Sequence, residues 1–92
     1  MILDELITII EERKKNSTKD SYVASLFAKG KDHIVQKVGE ESVEVVIAAK
    51  NESKQRVIEE FADLLFHSLV LLSCLGIHPK EILKELEKRH KK

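Results

Sequence analysis

The stretch that decides the fold of this chain is Glu60-Phe61-Ala62-Asp63-Leu64-Leu65-Phe66-His67-Ser68-Leu69-Val70-Leu71-Leu72. On a helix at about 100° per residue its large apolar side chains point in every direction, the pattern of a helix buried on all sides. Glu60, Asp63 and His67 nevertheless fall within about 60° of one another. A carboxylate among Leu and Phe side chains costs several kcal/mol unless it is paired or binds a metal ion. We therefore expect Asp63 in a dry setting, as a metal ligand or a salt-bridge partner, and His67 as a hydrogen-bonded core histidine.

Turn-forming residues divide the rest of the chain into further helices. Breaks are predicted at Asn16-Ser17-Thr18, Gly30, Asn51-Glu52-Ser53 and Gly76. They leave predicted helices over residues 2–15, from Asp20 to Lys29, from Lys31 to Lys50, over residues 54–75, and from Pro79 to Lys91-Lys92. No segment alternates with period two, so the predicted fold class is all-α: an antiparallel helical bundle of about four to five helices.

Chain length predicts a single domain over residues 1–92, which needs a second protein chain to cover its apolar surface. A chain of 92 residues buries only about 60–65% of the surface that its unfolded form exposes. A helix that is apolar all round also needs more cover than four neighbours in one small chain supply. We therefore expect dimerisation to complete the bundle, as a homodimer or a multiple of one, with the helix of residues 61–75 at or near the interface.

Composition excludes several classes of function. Sixteen basic residues balance sixteen acidic ones, which argues against a DNA- or RNA-binding protein. Cys74 is the only cysteine, so neither an intrachain disulfide nor a multi-cysteine zinc site is possible. Acidic residues interrupt the N-terminal apolar pattern, and the apolar stretch 61–75 is too short for a membrane span. We expect a cytoplasmic protein with no nucleic-acid or membrane partner.

A second acidic group lies on the predicted helix of residues 31–50. Its polar arc contains His33, Lys37, Glu40, Glu41 and Glu44. Taken alone, this arc is an ordinary solvated face. The short joint after it makes the two long helices antiparallel neighbours, and Glu44 and Glu60 are equally far from that joint, so the two acidic groups should face each other. Such close carboxylates need a counter-ion. Oxygen ligands without cysteine favour Mg²⁺, or Mn²⁺, over Zn²⁺.

These acids also carry a resemblance to a known family. Glu40-Glu41-Ser42-Val43-Glu44 and Glu60-Phe61-Ala62-Asp63 match the E-E-x-x-E and E-x-x-D signature of the all-α nucleoside triphosphate pyrophosphatases, the MazG-like superfamily. The wider strings Lys37-Val38-Gly39-Glu40-Glu41 and Ala62-Asp63-Leu64-Leu65-Phe66-His67 resemble the phosphoribosyl-ATP pyrophosphohydrolase branch. The resemblance covers about residues 3–90. Ser42 departs from it, because alanine is expected there, but a small polar residue should be harmless.

The resemblance implies Mg²⁺-dependent hydrolysis of phosphoribosyl-ATP to phosphoribosyl-AMP and pyrophosphate, an early step of L-histidine biosynthesis. It implies a metal-ligand set of Glu41, Glu44, Glu60 and Asp63. Glu40 would position or deprotonate the attacking water, a role that it could exchange with Glu41. The candidate substrate-binding residues are Lys37, Lys31 and Arg89. Lys37 could equally form a salt bridge to Glu41 or Glu44, and the other two could simply be solvated charges at helix ends.

Two alternatives stay open at this point. A housekeeping pyrophosphatase acting on free or damaged nucleoside triphosphates would share the fold and the metal site. Only a pocket for the second ribose phosphate would distinguish it. The other alternative is a non-catalytic dimeric helical module whose acids merely face solvent, and a Mg²⁺ titration would separate it from both enzymes.

Overall fold

The chain folds into five helices in a computed structural model that describes residues 3–16, 21–51 and 53–90. They are α1 (Leu3–Lys15), α2 (Tyr22–Lys29), α3 (Lys31–Asn51), α4 (Lys54–Cys74) and α5 (Pro79–His90). The described residues contain no strand, so the all-α prediction is confirmed. The predicted helix starts at residue 2 and at Asp20, and the predicted end at Lys91-Lys92, lie outside the described residues.

The helix ends follow local sequence chemistry. The Ser21 and Ser53 hydroxyls accept hydrogen bonds from the backbone N–H groups of Ala24 and Arg56, and so begin α2 and α4. Gly76 follows α4 with a φ of 74°, in the left-handed region that favours glycine. The Ile77 N–H bonds to the Leu72 carbonyl at 2.9 Å, which ends α4 in a fixed turn.

A hairpin of the two long helices, α3 and α4, is the frame of the molecule. These helices form the most extensive contact between elements. Helices α1 and α2 cover one end of the hairpin, where the largest fully buried side chains lie: Ile10, Leu26, Ile34 and Val70. Contacts of the Glu11 and Lys14 side chains with Ser73 tie α1 to the C-terminal half of α4.

The prediction that residues 61–75 are buried on all sides is wrong for the start of this segment in a single chain. Phe61 is 53% exposed and Leu65 51% exposed. Leu69 and Val70, further along the same helix, are buried. The difference arises because α1 packs against the C-terminal half of α4, where the Glu11 and Lys14 side chains bond to Ser73.

The last helix, α5, leaves the bundle. Its axis is bent by 106° from that of α4, and residues 80–90 are all exposed. None of the described helices is by itself long and apolar enough to span a membrane, and α4 and α5 pass that test only as a bent pair.

Candidate metal and substrate site

Three carboxylates meet where the middles of α3 and α4 face each other. Glu41 lies on α3, and Glu60 and Asp63 lie on α4; one oxygen of each is within 4.8 Å of the others. We call this group the carboxylate cluster. The structure thus brings together three of the four predicted metal ligands. Glu44, the fourth, is exposed and lies one turn nearer the joint than Glu41, outside the cluster.

The acids of the carboxylate cluster are not buried in the way that the sequence predicts. Asp63 was expected in a dry setting, but it is exposed. Glu60 is the buried acid of the cluster, with 6% exposure, and its carboxylate pairs with the Arg56 guanidinium. The prediction for Asp63 is wrong because its sequence neighbours Phe61 and Leu65 point to another side of α4 and are themselves uncovered. Asp63 forms no salt bridge within the described part of the chain, so the structure gives no support to a structural ion pair there.

Two cations partly balance the acids around the cluster. The Lys37 Nζ lies 3.4 Å from a Glu40 oxygen and 3.6 Å from a Glu41 oxygen. Arg56 bridges Glu59, at 2.7 Å, and Glu60. With Asp63, five carboxylates therefore share two cations, a formal excess of three negative charges. Such an excess at one place favours binding of a hard divalent cation.

The ion pairs shift the titration of their members. Burial lowers the pKa of Lys37, but Tyr22 and the hydrogen bond and charges of Glu40 and Glu41 outweigh it, so the pKa lies above its ordinary value. A hydrogen bond from Gln36, and then Lys37, lowers the pKa of the Glu40 carboxyl. Lys37 is therefore a cation, and Glu40 an anion, across the neutral pH range.

His67 is a hydrogen-bonded core residue, as expected, and it joins the cluster to α2. Its Nδ1 donates to the Asp63 backbone carbonyl at 2.8 Å, because a carbonyl oxygen can only accept. In the neutral ring Nε2 then accepts from the Tyr22 hydroxyl, also at 2.8 Å. The ring is buried against Phe66. His67 thereby fixes the backbone beside Asp63 and positions Tyr22 near Lys37.

Two of these residues were missed in the sequence. Arg56 could have been found, because it lies four residues before Glu60 on a helix, the spacing of an ion pair. Tyr22 gave no such signal, since its partner His67 is 45 residues away in sequence. Long-range pairs of this kind depend on how helices pack.

The structure does not bring Lys31 and Arg89 to the cluster. Lys31 is an exposed residue at the first position of α3, about 15 Å along the helix from Glu41. Arg89 lies near the end of α5 and pairs with Glu85 at 2.9 Å. Lys37 is thus the one predicted substrate-binding residue that contacts a member of the cluster among the described residues.

Fold and site together define a class: small all-α proteins whose long helical hairpin carries a cluster of carboxylates with a lysine beside it. Comparison with known proteins narrows the class. The family model described as phosphoribosyl-ATP pyrophosphohydrolase matches residues 3–90. A phosphoribosyl-ATP pyrophosphatase from Sulfolobus acidocaldarius is 45% identical over 91 residues, which are 99% of this chain and 96% of that protein. The chain belongs to the phosphoribosyl-ATP pyrophosphohydrolase family.

Proposed function

We propose that this protein is a phosphoribosyl-ATP diphosphatase, which hydrolyses phosphoribosyl-ATP to phosphoribosyl-AMP and pyrophosphate in L-histidine biosynthesis and requires Mg²⁺. Family membership over nearly the whole chain supports the reaction. The single observation that carries the metal requirement is the exposed Asp63, which has no salt-bridge partner in the described structure although it lies beside Glu41 and Glu60. An anionic site cannot bind a triphosphate unless a cation compensates the charge.

The donor set fits Mg²⁺, with Mn²⁺ as a substitute. Glu41, Glu60 and Asp63 offer carboxylate oxygens only, the ligands that hard divalent cations prefer. Glu44 would complete the set from the next turn of α3. A Mg²⁺ ion held by these carboxylates would supply positive charge to the triphosphate and to the departing pyrophosphate.

The protein's own groups have separate tasks in this proposal. Glu40 is ionised and held by Gln36 and Lys37, so its carboxylate can accept a hydrogen bond from the attacking water and orient it. Lys37 is a half-buried cation next to the cluster, and it can exchange its contact with Glu41 for a phosphate oxygen. In this proposal Lys37 forms its salt bridge in the free protein and contacts phosphate in the substrate complex. Lys31 and Arg89 do not contact the cluster and have no task in this chain's own site.

We further propose that the protein acts as a homodimer, joined through one apolar face of the hairpin. This hairpin face consists of Val35 and Val46 on α3 and Ile58, Phe61 and Leu65 on α4, all exposed. At about 100° per residue, Phe61 and Leu65 lie some 160° around α4 from Asp63, and Val46 lies some 140° around α3 from Glu41. Association through this face would bury the side chains while leaving the carboxylate cluster open to substrate. An apolar surface shared by two long helices is typical of an interface.

The proposed compartment is the cytoplasm. Phosphoribosyl-ATP carries several phosphate charges, and such an anion does not cross a lipid bilayer unaided. The enzyme must therefore work in the compartment in which its substrate is made.

The deciding experiment is an assay of products. The protein is incubated with phosphoribosyl-ATP and, separately, with the common nucleoside triphosphates, with Mg²⁺ or with chelator, while pyrophosphate and orthophosphate are both measured. We expect pyrophosphate release from phosphoribosyl-ATP, at least tenfold faster than from ATP, and none in chelator. Equal turnover of ATP would establish the housekeeping pyrophosphatase instead. Undiminished turnover in chelator would overturn the metal requirement.

A further inference from the structure

Helix α5 carries an apolar stripe that the described part of its own chain does not cover. Leu83 is 56% exposed and Leu86 49% exposed, and Ile82 is also exposed. The three side chains lie on one side of the helix, with charged residues on the other. Contacts between α5 and the other described helices are sparse. An isolated helix of 12 residues is marginal in water, because most helical stability in proteins comes from packing of the apolar face.

The overall dimensions show the same feature. The radius of gyration is 14.5 Å, whereas a compact chain of this length has a radius of about 12 Å. The excess is what a helix projecting from the body produces. In the described part of the chain, α5 therefore projects from the body and does not pack against it.

The turn between α4 and α5 holds the helix away from its own body. The Gly76 and Ile77 N–H groups bond to the Ser73 and Leu72 carbonyls at 3.1 and 2.9 Å. The His78 N–H then bonds to the Glu81 carboxylate at 3.1 Å, and Pro79 fixes the first position of α5. Folding α5 back onto its own chain would break these bonds.

An apolar cavity lies at the base of α5, between α1 and α4. It has a volume of about 350 Å³ and is lined by Ile7, Ile10, Leu69, Ile77 and Pro79, with Glu11 and Lys14 among its polar groups. Leu3 lies one turn before Ile7 on α1 and is exposed. Leu3 and Ile7 follow one another at helical spacing and form a short accessible stripe on α1, whereas Ile10, one turn further, is fully buried in the chain's own core.

Charges on α1 and α5 are complementary when the two helices run antiparallel. Helix α1 has Asp4 and Glu5 in its first turn and basic residues, Arg13, Lys14 and Lys15, in its last. Helix α5 has Glu81 in its first turn and Lys88, Arg89 and His90 in its last. The two helices have similar lengths, 13 and 12 residues. An antiparallel pair thus aligns each acidic end with a basic end and joins the two apolar stripes.

We propose that α5 is an exchanged arm, which packs antiparallel onto α1 and its cavity in a second copy of this chain, while the second copy's α5 packs in the same way on the first. A reciprocal contact of this kind has twofold symmetry and closes on itself. It covers Ile82, Leu83 and Leu86, fills the cavity and leaves the turn after α4 intact. The contact involves no residue of the hairpin face or of the carboxylate cluster.

Cross-linking between distinguishable chains tests the arrangement. Two proteins of different mass, both with Cys74→Ala, carry a single new cysteine each: Ile7→Cys on α1 in one, Leu83→Cys on α5 in the other. A short bis-maleimide should join them into a product of the summed mass. Lys84→Cys, on the polar side of α5, should give at most a tenth of that product. A chain carrying both new cysteines that links only internally, or the absence of any linked product, would overturn the proposal.

Sedimentation equilibrium provides a second, independent measurement. Leu86→Asp places a charge in the proposed contact and should raise the dissociation constant between copies at least tenfold. Lys84→Asp adds an acidic group to the same helix but outside the contact, and should change the constant less than threefold. Circular dichroism checks that both variants fold. Equal effects of the two substitutions, or none, would show that α5 does not bind a second copy.

Discussion

At the residue scale, the chemistry of the site depends on the unequal surroundings of three carboxylates. Glu60 is buried and bonded to Arg56, and Glu41 is half-buried beside Lys37. Asp63 is exposed and has no salt bridge in the described structure. Removing the Glu60 charge would leave a guanidinium without one of its partners, whereas removing the Asp63 charge only relieves repulsion. Asp63 is therefore the position at which function can be tested with least damage to the fold.

We expect Asp63→Asn to abolish hydrolysis while leaving the metal-free protein as stable as the wild type or slightly more so, because one of three neighbouring negative charges is lost. The wild type should gain about 2.7 kcal/mol of stability at a Mg²⁺ concentration a hundredfold above Kd. That gain raises the melting temperature by roughly ten degrees or more in a domain of this size. The variant should show a much smaller rise.

Thermal melts of both proteins, with Mg²⁺ and with chelator, measure these effects. Asp32→Asn is the matched control, since Asp32 is an exposed acid at the first turn of the same hairpin, away from the cluster. It should retain both activity and the Mg²⁺ response. A badly destabilised Asp63→Asn protein, together with an unchanged melt of the wild type in Mg²⁺, would refute the metal site.

The pairing of Lys37 with Glu40 predicts a pH dependence with a definite sign. The pKa of Lys37 is raised, so its contribution to stability is complete below its unfolded pKa of about 10.4 and is lost as the pH rises through the folded pKa. The pKa of Glu40 is lowered, so its contribution is present above about pH 4.3 and is lost as the pH falls through the folded pKa. In a plot of stability against pH, both the alkaline and the acid flank due to this pair should be shallow, since the pair is near solvent.

Urea midpoints measured in chelator from pH 3 to 11 would show these flanks, and Lys37→Met should flatten the alkaline one. The acid flank should change less, because Gln36 still donates to Glu40 in the variant. An alkaline flank that is identical in both proteins would mean that Lys37 contributes nothing to stability through its ion pairs.

At the element scale, the turn after α4 sets the direction of α5. Its conformation depends on Gly76, whose φ of 74° is unfavourable for a residue with a Cβ, although no atom lies within 4 Å of where a Cβ would be. The cost of a side chain there is thus one of backbone conformation and not of collision. This allows a substitution that tests the turn without disturbing the packing around it.

Gly76→Ala should destabilise the protein by about 1–2 kcal/mol, because alanine rarely adopts the left-handed conformation. Gly76→Asn should cost clearly less, since asparagine tolerates that region better than other residues with a side chain. Chemical denaturation of the three proteins at equal concentration measures the difference. Equal costs for Ala and Asn would indicate that the turn changes its conformation and does not hold α5 in place.

At the scale of the whole molecule, one chain leaves much of its apolar surface uncovered. Fully or nearly buried apolar side chains are concentrated where α1 and α2 meet the hairpin, around Ile10, Leu26 and Val70. The hairpin face and α5 lie outside this core. A domain of this size has a marginal core by itself, so association between copies should contribute a large part of its stability.

We expect Phe61→Asp to raise the dissociation constant of the proposed dimer about tenfold or more, because Phe61 lies in the hairpin face and a buried unpaired carboxylate would be costly. The rate of hydrolysis should fall together with association if the second copy stabilises the carboxylate cluster. Sedimentation and activity of the same samples measure both. Thr8→Asp, an added charge on exposed α1, is the control and should remain dimeric. A wild-type protein that sediments as a folded monomer at micromolar concentration would rule out the dimer.

The sequence by itself determined the helices and the facing of the two acidic groups. Serine caps, glycine breaks and a period of about 3.6 residues are local properties, and they predicted the helix ends that lie within the described residues to within one residue. Equal distance from the joint then placed the acids of α3 opposite those of α4 without knowledge of any other contact. Residues 41 and 63 met for this reason.

Only the tertiary structure decided which of these acids is buried and where α5 goes. An apolar run such as Phe61 to Leu65 shows that a helix needs cover, but not whether its own chain provides it. Burial depends on neighbours far away in sequence: α1 reaches the end of α4 and not its beginning. For the same reason Asp63 is exposed although its sequence neighbours are apolar. Likewise, the Tyr22 hydroxyl hydrogen-bonds to His67, which lies 45 residues later in the sequence.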